Sequence, residues 1–317
     1  MSNRVGAVAA VSALVLVAGS AAAAPQRSSA PSAAEIVFVD VGAGDGVVIR
    51  VGGAVVVSDI GERNIPFVYE AIDEALAKTG SREIEAIIVS HAHDDHVKNF
   101  ALLLESGKYK IKRALLSRNA HWSATDANRA VMRAIRRHHV PLKYVRTGEI
   151  FRFGGAKWTI LNPSPGAFTK HHEVSNSSVA YALEVSGKRF LFTGDIEAAG
   201  ERAVVSEWQR LELGPADVLL ATHHGSKYAS HDFFLDAVKP KSAVISVNRG
   251  HGHPDPEAIH RLRSAGAAIW CTAWNSTVTA IVPAGAAPVR LRSSENSAPW
   301  WLRGERHSRG ACVDQSP

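Results

Sequence analysis

Three histidines and two aspartates fall within six positions in His91-Ala92-His93-Asp94-Asp95-His96, directly behind the apolar run Ile87-Ile88-Val89. The apolar part, rich in β-branched side chains, predicts a buried strand. Residues two apart on an extended backbone point the same way, so His91 and His93 face one side together. Asp95 and His96 follow where the chain turns into a helix predicted over 97–104. Two imidazoles, a carboxylate and a third imidazole can serve two adjacent divalent metals, and these donors suit zinc, manganese or iron. The plain alternative is a polar surface turn, but such turns rarely hold three histidines behind a fully apolar strand.

Three more places put a candidate ligand at the end of an apolar strand: Asp59, Asp195 and His223. Strand ends that converge on one edge of a sheet bring their side chains close together on rigid supports. Asp195 follows Phe190-Leu191-Phe192-Thr193-Gly194, where its carboxylate can bridge two metals. Each residue has a structural alternative. Asp195 can cap the helix that follows, and His223 can be a satisfied turn residue.

The positioning elements follow from hydrophobic periodicity and turn residues. Strands at 35–41 and 47–51 flank the glycine turn 42–46, which makes a hairpin. A strand follows this turn instead of a helix, so it is no dinucleotide fingerprint. A third strand covers 54–58, a helix 66–78, and the motif strand 84–90. Further strands fall at 111–117, 142–145, 156–161, 179–185, 189–193, 217–221, 242–247, 268–271 and 277–282. Helices fall at 124–139, 198–208, 231–238 and 257–265. Early hairpins followed by strand–helix alternation predict two mixed sheets packed face to face with helices outside. The helix at 124–139 carries Arg129, Arg133, Arg136, Arg137, His138 and His139, a solvated face or a contact for phosphate backbone.

The 317-residue chain is 46% hydrophobic and 21% charged, ordinary for a soluble globular protein. A formal charge of +6 suits anionic partners. Residues 1–24 read as a signal peptide: Arg4, an apolar core over 5–18, and the small-residue run before Pro25. An uncleaved anchor is the alternative. Losing Arg4 takes the charge from +6 to +5. The expected organisation is then a disordered leader at 25–34, a catalytic domain at 35–287 and a tail at 288–317, where Trp300 and Trp301 read as packing residues. Cys271 and Cys312 allow one disulfide tying down that tail, or remain two thiols.

The combined motifs resemble the metallo-β-lactamase superfamily through H-x-H-x-D-H at 91–96. They resemble its ComEC-like branch, named after a DNA-uptake competence protein, through further pieces. These are Asp40-Val41-Gly42-Ala43-Gly44-Asp45-Gly46, Ser58-Asp59-Ile60-Gly61, Asn176-Ser177-Ser178-Val179, Phe192-Thr193-Gly194-Asp195-Ile196-Glu197, His223-His224-Gly225-Ser226 and Gly252-His253-Pro254. The resemblance implies an αββα sandwich with two divalent metals, zinc by default and manganese as the alternative. His91 and His93 would hold one metal, Asp95 and His96 the other; Asp195 would bridge, and His223 would complete the second site. Asp59 would orient ligands from behind. A metal-bridging hydroxide would be the nucleophile, with Asp95 also accepting its proton. His224 and His253, with Ser226 and Lys227, would hold substrate phosphate or leaving group. Where many relatives carry another ligating histidine, this chain has Asn176, with His171 and His172 nearby. Asn176, one of these histidines or water would complete the first site.

The resulting expectation is an exported hydrolase, periplasmic or secreted, acting on DNA or another phosphodiester, with no membrane span after signal cleavage. Alternatives are hydrolysis of a lactone, β-lactam or phosphorylcholine ester, or DNA binding through a degenerate site.

Overall fold

Strands sandwiched between two apolar layers must be hydrophobic on both faces, and here they are. The computed structural model describes residues 32–118, 120–164, 173–248 and 252–294. Its first strands are β1 (Ser32–Phe38), β2 (Gly46–Val51) and β3 (Ala54–Ile60), followed by α1 (Ile65–Thr79). The chain continues through β4 (Glu83–Ile84), β5 (Ala86–Val89), α2 (Asp94–Val97), α3 (Phe100–Glu105), β6 (Lys110–Ile111), β7 (Ala114–Ser117), α4 (Asp126–Arg137) and β8 (Leu142–Val145). The second half comprises β9 (Ile150–Phe153), β10 (Ala156–Asn162), α5 (Glu173–Asn176), β11 (Ala180–Val185), β12 (Lys188–Phe192), α6 (Ala198–Arg210) and β13 (Val218–Leu220). It ends with α7 (Asp232–Val238), β14 (Ser242–Ile245), α8 (Pro256–Ser264), β15 (Ala268–Cys271), α9 (Thr272–Asn275), β16 (Val278–Pro283) and β17 (Arg290–Ser293).

Among the described residues, one eight-stranded sheet runs β17-β16-β1-β2-β3-β5-β7-β8 and a seven-stranded sheet runs β15-β14-β13-β12-β11-β10-β9. Their facing sides share one core, in which Ala86 and Ile88 of β5 meet Phe190 and Phe192 of β12 and Val218 and Leu220 of β13. The intervening residues point outward. Ile87 and Val89 pack with Ile72 of α1, Leu103 of α3 and Val131 of α4. Leu191 and Leu219 pack with Trp208 of α6, Phe234 of α7 and Leu262 of α8. The period-2 side-chain alternation of each strand thus feeds two cores, giving the expected αββα layers.

β3, β5, β7 and β8 are parallel neighbours, as are β12, β13, β14 and β15. The carboxyl ends of parallel strands, with crossover helices behind them, form the usual ligand crevice of α/β sheets. Three local expectations differ. The helix predicted over 97–104 is two short helices, α2 and α3. β1, paired on both sides, begins at Ser32, inside the expected leader; β17 pairs with β16 beyond residue 287, as an edge strand that needs only one apolar face. The expected signal segment, His171, His172, Trp300, Trp301 and Cys312 lie outside the described residues, while Cys271 is buried.

Candidate metal centre

β5 stops at Val89, and the next residues turn across the sheet edge toward α2. At the end of β3, Asp59 receives this turn: Ser90 N donates to Asp59 Oδ1 at 2.8 Å. The other oxygen, Oδ2, lies 3.0 Å from His96 Nδ1. An ionised carboxylate only accepts, so His96 carries its proton on Nδ1 and presents the Nε2 lone pair. His224 is set the same way, its Nδ1 donating to the Ser246 carbonyl at 2.9 Å.

His96 Nε2 and His224 Nε2 are 3.1 Å apart. Asp195 Oδ1 lies 3.1 Å from the first and 3.2 Å from the second. Three lone pairs facing one another at this spacing repel unless a cation joins them. Tetrahedral zinc with bonds of about 2.0–2.1 Å separates its ligand atoms by roughly 3.3 Å, close to these edges. The field tells the same story. Burial works against charge on His96 and His224, yet nearby carboxylates, Asp195 foremost, raise both well above the ordinary imidazole range. Burial would raise Asp195, but four histidines hold it well below the usual carboxylate range. A divalent cation satisfies this field without protons on Nε2.

A second group shares Asp195 through its other oxygen. His91 Nε2 lies 2.9 Å from His93 Nδ1 and 3.4 Å from Asp195 Oδ2. His91 Nδ1 is held by Ser90 Oγ at 3.0 Å and Ser178 Oγ at 3.2 Å. His93 is the exposed member, and partial desolvation together with His91 lowers it to about 4, so it stays neutral. Donor groups of this kind gather Asp45, His96, Asp195 and His224 in one set and His91, His93 and Asp195 in the other.

The two adjacent histidines exchange the places expected of them. His224, expected at substrate, joins His96. His223, expected on the second metal, turns its Nε2 toward Asp195 Oδ2 at 3.6 Å, beside the first group, while Glu197 Oε1 holds its Nδ1 at 3.1 Å. Position after a strand did not decide this, because strand geometry has ended: His223 and His224 both have left-handed backbone (φ 48° and 51°). Such backbone in non-glycine residues persists only where surrounding contacts impose it.

Asp45 is the member that sequence reasoning passed over, since the glycines around it read as a hairpin turn. It is buried, with Oδ1 3.5 Å from His224 Nδ1 and Oδ2 3.9 Å from His96 Nδ1. It thus faces the two rings from behind, on the side away from Nε2. Its place inside the motif shared with the ComEC-like branch was the available signal. Asp95 Oδ2 stands at the open side, 3.5 Å from His224 Nε2 and 3.9 Å from His96 Nε2. His96 and His224 hold Asp95 below its ordinary value against the effect of burial.

The side-chain oxygen of Asn176 is engaged away from both donor groups. Asn176 Oδ1 accepts from Glu197 N at 3.0 Å and Gly200 N at 2.9 Å, fastening the turn that carries Asp195 to α6. Ser226 is buried, and its hydroxyl accepts from Tyr228 N at 3.2 Å within its own loop. Lys227 is exposed. His253 is held by Asp255 Oδ2 at 3.2 Å and its ring centre lies 6.0 Å from that of His223, which places both at the rim.

Two predictions arise here. In Asp59→Asn the amide oxygen keeps Ser90 N, so the NH2 group faces His96 Nδ1 and forces the proton to Nε2. Chelator-competition titration should show metal affinity about 10–100-fold weaker; unchanged affinity would refute the orienting role. The second concerns Glu201, fully buried beneath the His223–His224 turn, where it accepts from Thr222 Oγ1 at 3.2 Å and from Ser230 N, and meets His231 Nδ1 at 2.7 Å. The Glu201 hydrogen bond raises His231 above 6.5 despite desolvation. A raised folded value means stability present in full below about 6.5 and lost as pH climbs through that raised value. His231→Gln should therefore lower Tm more at about pH 5.5 than at about pH 9; a pH-independent difference would contradict this.

Comparisons with known proteins place these features. The profile described as Metallo-beta-lactamase superfamily matches residues 39–251. The chain is 27% identical over 265 residues to ComE operon protein 3 of Bacillus subtilis, covering 78% of this chain and 33% of that protein. It is 25% identical over 256 residues to Competence protein ComA of Neisseria gonorrhoeae, covering 80% of this chain and 33% of that protein. The chain thus spans about a third of the length of these relatives. Among solved structures, a mutant of the CmlA beta-hydroxylase is similar in fold, with TM-score 0.50 and 13% identity over 85% of this chain and 55% of that one. Igni18, a metallo hydrolase from Ignicoccus hospitalis, has TM-score 0.49 and 13% identity over 77% of this chain and 98% of that one.

Proposed function

Because the chain belongs to the metallo-beta-lactamase superfamily, we propose that this metallo-hydrolase is exported and cleaves phosphodiester bonds, those of DNA foremost. The observation that carries the reading is Asp195, whose two oxygens serve two separate groups of histidines. A pair of divalent metals there supplies Lewis-acid polarisation and a lowered pKa for water. The donors His91, His93, His96, His224 and Asp195 suit zinc, with manganese the alternative.

The chain's own residues do the rest. Asp59 and the Ser246 carbonyl keep Nε2 of His96 and His224 unprotonated. Asp95, at the open side and ionised, accepts a proton. His223 and His253 border the opening and, with the exposed Lys227 that follows in the same segment, offer donors to a phosphate. The phosphodiester reading is supported by the competence-protein relatives and by the basic balance of the chain, pI near 9.4. Export rests on residues 1–24 alone; no helix among the described residues is long and apolar enough to cross a membrane.

The test is turnover of bis-p-nitrophenyl phosphate, plasmid DNA and nitrocefin with zinc, manganese, magnesium or cobalt. Cleavage of the first two and not the third is expected. No phosphodiester cleavage with any metal would end this reading.

A further inference from the structure

The basic helix α4 is attached to the metal loop. Asn128 Nδ2 donates to the Ala92 carbonyl at 2.9 Å, and Thr125 Oγ1 donates to Asp94 Oδ1 at 3.0 Å. From that anchorage the helix runs back along the outer face of the first sheet, packed with Ile87 and Val89 of β5. Its buried face is Val131, Ala134 and Ile135. Its exposed face carries Arg129, Arg133 and Arg136, spaced by four and three, so the guanidinium stems share one side over about 10 Å of helix. These arginines line a cleft of about 370 Å³ with Trp122, Ser123 and Met132.

The charges on this helix are not equivalent. Arg137 and His138 pair with Glu105, and Arg129 pairs with Asp126. Arg133 and Arg136 have no acidic partner among the described residues. Trp122 is buried, with its ring N–H committed to the Ser117 carbonyl at 2.8 Å, so the cleft has an apolar floor but no free stacking platform. An apolar floor under unpaired guanidinium groups suits the sugar–phosphate backbone of a polymer more than a base edge.

We propose that the α4 cleft holds the backbone of a polynucleotide some nucleotides away from the bond positioned at the metal centre. This rests on the phosphodiesterase reading and adds to it that the substrate is a chain, gripped outside the site of cleavage. The cleft gathers backbone charge without reading sequence. Hydrolysis of a small phosphodiester does not draw on it.

The test uses Arg133→Glu/Arg136→Glu and the milder Arg133→Gln/Arg136→Gln, with Tm recorded for each. Fluorescence anisotropy with labelled phosphorothioate oligonucleotides of about 16 nucleotides, single-stranded in one arm and duplex in the other, is run on the metal-loaded protein, the sulfur substitution suppressing cleavage. The charge-reversed protein should bind at least about tenfold more weakly at low salt, with a salt slope shallower by roughly 1–2. The arm with the larger loss identifies the strand state. With the same metals, kcat/KM on bis-p-nitrophenyl phosphate should be unchanged while that on the unmodified oligonucleotide falls. Equal binding by wild type and both variants, or no oligonucleotide binding by wild type, overturns the proposal. An equal loss on the small ester overturns it too, by making the arginines structural. If binding is lost as expected but no phosphodiester is ever cleaved, the hydrolytic reading falls and the cleft stands.

Discussion

Asp195→Ala should bind neither metal tightly and should lose turnover by on the order of 10³-fold or more while remaining folded. Both donor groups depend on this one carboxylate, Oδ1 serving His96 and His224 and Oδ2 serving His91. Removing it leaves each group with imidazoles alone. It also removes the negative charge that holds the raised protonation of His96 and His224. The fold should survive, since a buried carboxylate costs desolvation that alanine does not. Metal analysis, circular dichroism and turnover on bis-p-nitrophenyl phosphate together decide it. His93→Ala should also abolish turnover in a folded protein. Full activity with native metal content in Asp195→Ala would refute the two-group site.

Gly44→Ala should be the most damaging small change to stability. At Gly44 (φ +91°) an added Cβ would lie 1.7 Å from the Asp95 carbonyl oxygen and 2.6 Å from its carbon. These are backbone atoms of the metal loop, so neither side can rotate away. The left-handed backbone adds its own penalty, and together they should cost about 3–5 kcal/mol. In a chain this size that lowers Tm by roughly 10 °C in thermal melts. A melting point within about 2 °C of wild type would show that the turn and the loop move apart freely.

The four layers were legible because both sheets are sandwiched: apolar runs such as Ile87-Ile88-Val89 and Phe190-Leu191-Phe192 can belong only to strands covered on both sides. The histidines at 91–96 and Asp195 were legible for the related reason that polar residues abruptly ending such runs stand at the sheet edge. What escaped detection lay where periodicity stops. The assignment of His223 and His224 depends on two consecutive left-handed residues without a glycine at either position, which no side-chain pattern announces. Asp45 was hidden by its turn, whose glycines serve close backbone approach as well as chain reversal. Ser226 faces inward because its hydroxyl is used within its own loop. β17, Arg290-Leu291-Arg292-Ser293 along an edge, lacks the continuous apolar run of an interior strand.

The donors come from both sheets, His91 and His93 from the loop after β5 and His96 from α2 that follows it, Asp195 and His224 from the segments after β12 and β13. His96 and His224 stand 128 residues apart in sequence. A cation between them is therefore a removable cross-link joining the two halves of the chain. Binding that requires the native pairing shifts the unfolding equilibrium by RT ln(1 + [L]/Kd). With such a cation bound, metal supply would govern how long the folded chain lasts as well as how fast it works, and a metal-poor compartment would hold a looser, more protease-sensitive protein.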